Sequence, residues 1–498
     1  MFKYSLELVV FICGAAVMIL EMVGSRMMAP YLGTSIIVWT SLIGIILGFL
    51  SLGYWLGGKL ADIKPSYRIF SLVILLSSLF VLLMIFIQAP ILELIQSLFS
   101  NIYLGTVFSA LFLFAIPSTL LGIVSPYAAR LKIKSLDRSG EAVGSLYALS
   151  TLGSIVGTFA AGFVLIPFMG TVKILYFISI SLLVSSLLAY SGHLLKFKIA
   201  AIVSILIFSF FPYSQFGNKV IADIDSKYSR ILLKKDTHGK TQEPILKLSI
   251  DPFGDQSAMF LDEKKRGELV FKYSEFYDLA DYFRKDLDHS LLLGGAAYSY
   301  PKHYLKTYPD SKLDVVEIDP EMTRIAKKYF HLQESPRLNI YHQDGRVFLN
   351  NTDQKYDAIF VDAYSSSLSA PYQLTTQEAV AEMYEHLNDN GVVLANVISS
   401  ISGKMGKFLR AEYWTYKSVF PQVYLFPVDN KNRGDIFQNI VIMAIKSDRK
   451  LDLDTSNPKF REYLDHLWQK RVEKDVPIMT DEHAPAEYYI LERFDYGL

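Results

Sequence analysis

The sequence predicts a multi-span α-helical membrane domain followed by an α/β, Rossmann-like domain with a small β-rich lead-in. Three observations predict it. Apolar residues crowd into the first ~210 positions in uncharged blocks of about 20, the length that crosses a bilayer as a helix. From about Asp223 charges become frequent and apolar runs shorten to strand length. Between Leu291 and Asp362 four short apolar runs alternate with helical patterns, and each ends in glycines or a carboxylate. That alternation indicates parallel strands with crossover helices. In such sheets ligands lie at the carboxyl ends of the strands.

The domains expected are residues 1–215 for the membrane part, 216–274 for the β-rich lead-in, and 275–498 for the Rossmann-like domain with a C-terminal extension. A chain of 498 residues fits this division. Lys and Arg number 49 and balance 49 Asp and Glu, so composition argues against a nucleic-acid partner. The single cysteine, Cys13, excludes a disulfide within one chain. The first apolar block lacks a persuasive small-residue cleavage site and more blocks come after it, so it reads as an anchor and not a removed signal.

Seven spans are expected near 5–25, 36–57, 68–87, 103–125, 142–169, 171–190 and 197–213. The segment from Gln88 to Ser100 is too short to span and reads as an interfacial helix. Small residues recur at helix-packing spacing as Gly44 and Gly48, Gly53 and Gly57, and Gly153 and Gly157, where helix backbones can approach closely. Glu21 and Arg26 are ionisable groups near the end of the first span, fitted either to function or to anchoring. The stretch Gly53 to Asp62 resembles the short loop motif of major-facilitator transporters, although seven spans are too few for that fold.

In the second half, residues 226–262 read as short strands with turns. The strand runs Leu291–Leu293, Leu313–Ile318, Leu338–Tyr341 and Tyr356–Val361 come next. A helix over 375–388, a strand Val392–Val397, a helix near 403–418, and the runs Val423–Phe426 and Ile440–Ile445 complete the sheet.

Each strand end carries chemistry. Gly294 and Gly295 let the backbone approach a ligand closely. Glu317, at this distance after the glycines, is placed to accept hydrogen bonds from ribose hydroxyls, or is simply an exposed strand-end acid. Asp344, before Gly345, suits an adenine amino group or a helix N-cap. Asp362 suits proton removal from an attacking amine, the holding of a cation, or a cap.

Together these residues resemble the spermidine synthase (polyamine aminopropyltransferase) family, which has the class I methyltransferase fold. The matching parts are Ser226-Lys227-Tyr228, Tyr277-Asp278, Gly294-Gly295, Val316 to Asp319, Asp344-Gly345-Arg346 and Val361 to Tyr364, with Pro371 after them. The apolar half, with Glu21 to Pro30 and Gly144 to Pro167, looks like the membrane region of fused, multi-span members. The resemblance implies transfer of an aminopropyl group from decarboxylated S-adenosylmethionine to putrescine or another amine, releasing methylthioadenosine. Asp362 would be the proton acceptor. Gly294, Gly295, Glu317, Asp344, Gly345 and Pro371 would bind the co-substrate, with Glu317 on ribose and Asp344 on the adenine amine. Tyr277, Asp278, Asp362 and Ser365 would face the amine. No metal and no tightly bound cofactor are implied. The expected partners are the nucleoside sulfonium, a small amine, the lipid bilayer of a cell membrane and a second copy of the chain as a homodimer, with no nucleic acid.

The departures lie on the amine side. The family's Gly-Gly-Gly-Asp-Gly-Gly loop has its diamine-binding aspartate replaced by Ala297, and the second acid of its Asp-x-x-Asp-Pro is replaced by Ser365. A Gln that usually comes after the early Tyr is Ser229. Glu275, Asp278 and Glu378 are the acids available to compensate. Charge-assisted hydrogen bonds contribute roughly 1.5–3 kcal/mol each, so the two losses weaken a compact dication site. Two other readings stay open: a methyltransferase using ordinary S-adenosylmethionine, and a transporter or sensor that binds nucleoside or polyamine without catalysis.

Overall fold

A computed structural model describes residues 5–99, 101–133, 139–192, 194–209, 220–363, 369–450 and 453–492. The chain divides into two compact units, Met1–Asn218 with Asp223–Ile231, and Lys219–Ala222 with Leu232–Leu498.

The first unit is helical: α1 Ser5–Leu32, α2 Ile36–Ile63, α3 Tyr67–Leu98, α4 Ile102–Lys132, α5 Ser139–Phe168, α6 Thr171–Ala189 and α7 Leu195–Phe208. Among the described residues six of these, α1 to α6, are long and apolar enough to cross a membrane, not seven. The seventh expected span begins in α7, which has only 14 residues, and its later part lies outside the described residues. The expected interfacial helix is also corrected: Gln88 to Leu98 continue α3 without a break, through Pro90.

Two of the three glycine pairs pack helices. A Cβ on Gly53 would stand 2.2 Å from the Thr119 carbonyl oxygen of α4, and one on Gly57 2.8 Å from Ile123. On α5, a Cβ on Gly153 would meet the Phe11 oxygen at 2.1 Å, and one on Gly157 the Ala15 oxygen at 2.5 Å. These close approaches seat α2 on α4 and α5 on α1. Gly44 and Gly48 face open space, since nothing would lie within 4 Å of their Cβ atoms. The stretch Gly53 to Asp62 is part of α2 and not a loop. Arg26 donates to the backbone oxygen of Ser226 at 2.6 Å and to that of Lys227, which fixes this end of α1 to the segment leading out of the unit. Asp225 caps α6 by accepting from the Thr171 backbone N–H at 2.7 Å. Lys198 of α7 donates to the Ser186 and Tyr190 carbonyls at the other end of α6, each at 3.0 Å.

The lead-in is a four-stranded sheet in the order β1 Val220–Asp225, β2 Arg230–Thr237, β3 Pro244–Ser249 and β4 Asp255–Phe260. The main sheet has seven strands in the order β10-β11-β9-β8-β5-β6-β7. They are β5 His289–Leu293, β6 Lys312–Val316, β7 Leu338–Tyr341, β8 Tyr356–Val361, β9 Leu387–Ser399, β10 Gln422–Pro427 and β11 Gln438–Ile445. β5 to β9 run parallel, and β11 inserts antiparallel between β9 and β10. The last strand therefore does not form the edge: β10 does. Successive residues on a strand point to opposite faces, so Leu291 and Leu293 join one core cluster and Leu292 the other. Helices α8 Ser299–Thr307 and α9 Pro320–Tyr329 cover one face, and α10 Gly345–Asn351, α11 Gln377–Glu385 and α12 Lys407–Val419 the other. Strand order reverses beside β5, where β6 and β8 flank it. Such a switch point opens a crevice at the carboxyl ends of the strands.

Candidate active site

Gly294 closes β5 with φ +98°, a backbone that side-chain-bearing residues rarely adopt. A Cβ there would stand 2.3 Å from the Asp362 carbonyl oxygen, so glycine is what allows the two strand ends to meet. The loop then departs from an all-glycine design. Ala296 and Tyr298 take positive φ of 44° and 58°. Tyr298 is fully buried, its ring comes within 2.9 Å of where a Cβ on Gly295 would be, and its hydroxyl meets Thr323 Oγ1 at 2.7 Å. That packing holds the strained turn. Ala297 is fully buried.

Glu317 bridges β6 to this loop. Its Oε2 accepts from the Gly295 and Ala296 backbone N–H groups, both at 2.9 Å, and its Oε1 from that of Asp319 at 2.9 Å. Burial pushes its carboxyl up, against the pull of those three backbone donors. Asp344 caps α10, accepting from Arg346 N–H at 2.8 Å and Val347 N–H at 3.2 Å through Oδ1, while Gln373 donates to Oδ2 at 3.1 Å. Gly345 opens that helix. Capping thus accounts for one oxygen of Asp344, and the other accepts from the Gln373 side-chain amide. Three apolar side chains stay exposed: Ile318, directly after Glu317, at 38%; Val347, in the helix that Asp344 caps, at 48%; and Tyr372, directly before Gln373, at 57%.

Asp362 comes directly after β8 and is held from two sides. The Tyr273 hydroxyl donates to Oδ2 at 2.8 Å and the Asn396 amide to Oδ1 at 3.1 Å. Desolvation by the surrounding protein pushes its carboxyl up to about 6, although both hydrogen bonds favour the charged form. It lies on the wall of a cavity of about 810 Å³, with Gly294, Gly295, Tyr273, Tyr300 and Asn396. A carboxylate titrating near neutrality at the wall of a large pocket is suited to proton transfer.

The expected site residues thus divide. Gly294, Gly295 and Asp362 line the cavity together. Glu317, Asp344 and Gly345 gather at the neighbouring strand ends. Pro371 lines a separate void of about 30 Å³ with Ala363 and the buried Glu412. Ser365 lies outside the described residues. Tyr277 and Asp278 are not on the cavity wall. Tyr277 is packed against Tyr300 and Phe360 in the core. Asp278 is buried and accepts from Lys459 at 2.6 Å and Tyr308 at 3.2 Å, with His303 at 3.2 Å. Burial alone would push its carboxyl up, but His303 and Lys459 hold it below the usual range. The tyrosine that reaches Asp362 is Tyr273, one helical turn earlier.

Tyr273 and Asn396 were not picked out from the sequence. Asn396 had a readable signal: it is a polar residue that interrupts the apolar run of β9, on the strand next to the one that carries Asp362. Removing the Tyr273 hydroxyl (Tyr273→Phe) takes away a donor that favours the charged carboxylate. The acidic limb of the pH–rate profile is then expected to move to higher pH, and kcat/KM at neutral pH to fall about ten- to a hundredfold. An unmoved limb would show that Tyr273 does not set the titration of Asp362.

The fold defines a methyltransferase-like α/β domain with a crevice at the carboxyl ends of its strands, where the acids gather. Within it, residues 278–428 match the spermine/spermidine synthase domain, and this half of the chain is spermidine synthase-like. The polyamine aminopropyltransferase of Vibrio vulnificus is 34% identical over 156 residues, which are 30% of this chain and 50% of that protein. The match therefore spans half the length of the Vibrio protein. Polyamine aminopropyltransferase 2 of Aquifex aeolicus is 24% identical over 412 residues, 78% of either chain, so the similarity runs on into the apolar half. The spermidine synthase structure from Thermotoga maritima aligns at 18% identity and TM-score 0.36, covering 53% of this chain and 82% of that one.

Proposed function

We propose that the protein is a membrane-anchored aminopropyltransferase that moves the aminopropyl group of decarboxylated S-adenosylmethionine onto an amine and releases methylthioadenosine. The observation that carries this reading is Asp362: a carboxylate raised to about 6, aimed by Tyr273 and Asn396, on the wall of a cavity beside the nucleoside crevice.

In the reaction the amine nitrogen attacks the aminopropyl carbon next to the sulfonium. A C–N bond forms, the C–S bond breaks and its electron pair neutralises sulfur. The attacking nitrogen gives up a proton, which Asp362 accepts. A sulfonium is a good leaving group, so the protein needs mainly to position the partners and remove the proton. Glu317 holds the ribose through the acceptor capacity left on Oε1. Asp344 takes the adenine amine at Oδ2 in place of Gln373. Ile318, Val347 and Tyr372 supply apolar surface for the base. Pro371 is assigned to the co-substrate and Ser365 to the amine, as the resemblance implies. The six long apolar helices anchor the enzyme in a cell membrane, where the chain associates as a homodimer.

The test is a paired assay. Protein released from carbonate-washed membranes by detergent is given decarboxylated S-adenosylmethionine with amines, or ordinary S-adenosylmethionine with membrane lipid. Methylthioadenosine from the first mixture is the expected result. Adenosylhomocysteine from the second would replace the reading with methyl transfer, and recovery of the protein in the carbonate wash would contradict the anchoring.

A further inference from the structure

The helical unit has two chemically different faces, and contacts between helix ends show which ends share a face. On the first, Glu7 at the start of α1 pairs with Lys132 at the end of α4 at 3.1 Å, and Asp62 at the end of α2 meets Arg130 at 3.3 Å. On the same face Arg68, at the start of α3, donates to the Tyr190 hydroxyl just past α6 at 2.9 Å. On the second face the Gln96 amide, near the end of α3, donates to the Tyr31 carbonyl oxygen near the end of α1. The first face also carries Lys59 and Lys64 by the end of α2 and Lys196 at the start of α7. The turns of the second face, 33–35, 99–101 and 169–170, hold no Lys or Arg, and the cations nearest to them in sequence are Arg26 and Lys173.

The chain enters α7 at the first face and leaves the unit at the second. Lys198, in the first turn of α7, donates to the Ser186 and Tyr190 carbonyls at the end of α6, each at 3.0 Å. Asp225 holds the opposite end of the same helix: Oδ2 accepts from the Thr171 N–H at 2.7 Å and Oδ1 from the Thr171 hydroxyl at 3.2 Å. The next two residues, Ser226 and Lys227, receive Arg26. α6 has 19 residues, so its ends are about 28 Å apart at ~1.5 Å per residue. Between Lys198 and Asp225 the chain therefore travels close to the ~30 Å apolar thickness of a bilayer. Val203, Leu206, Ile207 and Phe208 of α7 are exposed, as suits a segment against lipid tails. Among the described residues no helix after α6 is long and apolar enough to cross back.

Lys and Arg near span ends collect on the cytoplasmic side of a membrane, while Asp and Glu have little influence. Lys227 and Arg230, past the exit, count for little, because a large domain translocates largely regardless of its charge. We propose, on the basis of the membrane anchoring and aminopropyl transfer read above, that the Lys- and Arg-rich face is cytoplasmic. The chain then continues from Asp225 on the extracytoplasmic side, and its transfer chemistry takes place there. The nucleoside sulfonium carries a fixed positive charge, which is costly in the apolar layer. A sulfonium made in the cytoplasm therefore needs a transport reaction before this one, and the amine acceptor is drawn from the outer compartment.

The experiment exploits the single cysteine. Cys13 is buried in α1, and a Cys13→Ala background takes one new cysteine at a time. Asp310→Cys marks the chain after the exit and Lys64→Cys the basic face, both at exposed positions. Spheroplasts of a bacterial host expressing each full-length variant are treated with a membrane-impermeant maleimide, before or after lysis with detergent. Asp310→Cys is expected to label about equally in both conditions, and Lys64→Cys tenfold or more better after lysis. The reverse pattern would overturn the proposal and leave the anchoring and the transferase reading intact. Label on both variants only after lysis would also overturn it, and recovery of the protein in a carbonate wash would then remove the anchoring as well. A second measurement gives wild-type spheroplasts external decarboxylated S-adenosylmethionine and spermidine. Methylthioadenosine release within about twofold of the detergent-lysed rate is expected, and a rise of tenfold or more on lysis would overturn the outward location. No methylthioadenosine in either condition, with the expected labelling, would overturn the transferase reading and keep the sidedness.

Discussion

Replacing Asp362 by Asn lowers turnover by about 10²–10⁴-fold, the range typical of a lost general base, and leaves affinity for the nucleoside co-substrate within a few fold. Asn is isosteric and still meets one of the two neighbours that hold the carboxylate, Tyr273 or Asn396. It cannot accept the proton that the amine must lose. The wild-type rate carries the same signature in its pH dependence. A carboxyl pushed up to about 6 is protonated below that pH, so activity falls as the pH drops through about 6. The stability effect has the opposite sense. The folded state holds this proton more tightly than an unfolded aspartate does, so its contribution is fully present at acid pH and is lost as pH rises towards about 6. Above that pH the protein keeps a poorly solvated charge that Asp362→Asn removes. The variant should therefore melt at a higher temperature than wild type at about pH 8 and lose that advantage near pH ~4. Scanning calorimetry at the two pH values reads this directly, and unchanged turnover would remove Asp362 as the base.

Glu317→Ala has the second large effect, on structure and binding together. Three backbone N–H groups, of Gly295, Ala296 and Asp319, end on this one carboxylate. Each donor left unsatisfied costs about 1–3 kcal/mol, reduced where water can enter the vacated space. The loop they hold includes two side-chain-bearing residues at positive φ, so it has little to fall back on. A melting point several degrees lower is expected, with nucleoside affinity down by about a hundredfold or more. Glu317→Gln keeps the volume but turns an amide donor towards backbone donors, and should fall between Ala and wild type. Isothermal titration with methylthioadenosine separates the two effects. Unchanged affinity in a folded Glu317→Ala protein would remove this residue from the ribose site.

The strand ends were legible because a parallel strand buried on both faces must be apolar until it emerges, so a glycine or acid at its carboxyl end stands out. Leu291–Leu293 before Gly294, and Tyr356–Val361 before Asp362, are of this kind. The lining of the cavity around Asp362 was not legible in the same way. Tyr273 and Tyr277 lie one helical turn apart in an aromatic-rich segment, and only tertiary packing decides that the first reaches Asp362 while the second fills the core. The tolerated loss of the glycine loop depends on a contact at distance, the Tyr298 hydroxyl against Thr323 Oγ1. The helix boundaries departed from the hydropathy blocks for a different reason. α3 carries its helix through Pro90 to Leu98, past the hydropathy block that stops near residue 87, while the end of the expected seventh span lies outside the described residues. The glycine pairs show the same limit: Gly53/Gly57 and Gly44/Gly48 have the same spacing on α2, yet only the first pair faces a neighbour.

The central claim is aminopropyl transfer with Asp362 as proton acceptor. The most direct test tracks both products of one reaction, with decarboxylated S-adenosylmethionine labelled in its aminopropyl carbons and a polyamine acceptor, for wild type and Asp362→Asn in parallel. The account predicts methylthioadenosine and labelled, extended amine in equal amounts from wild type and almost none of either from the variant. Methylthioadenosine without labelled amine, or equal yields from the two proteins, would contradict it.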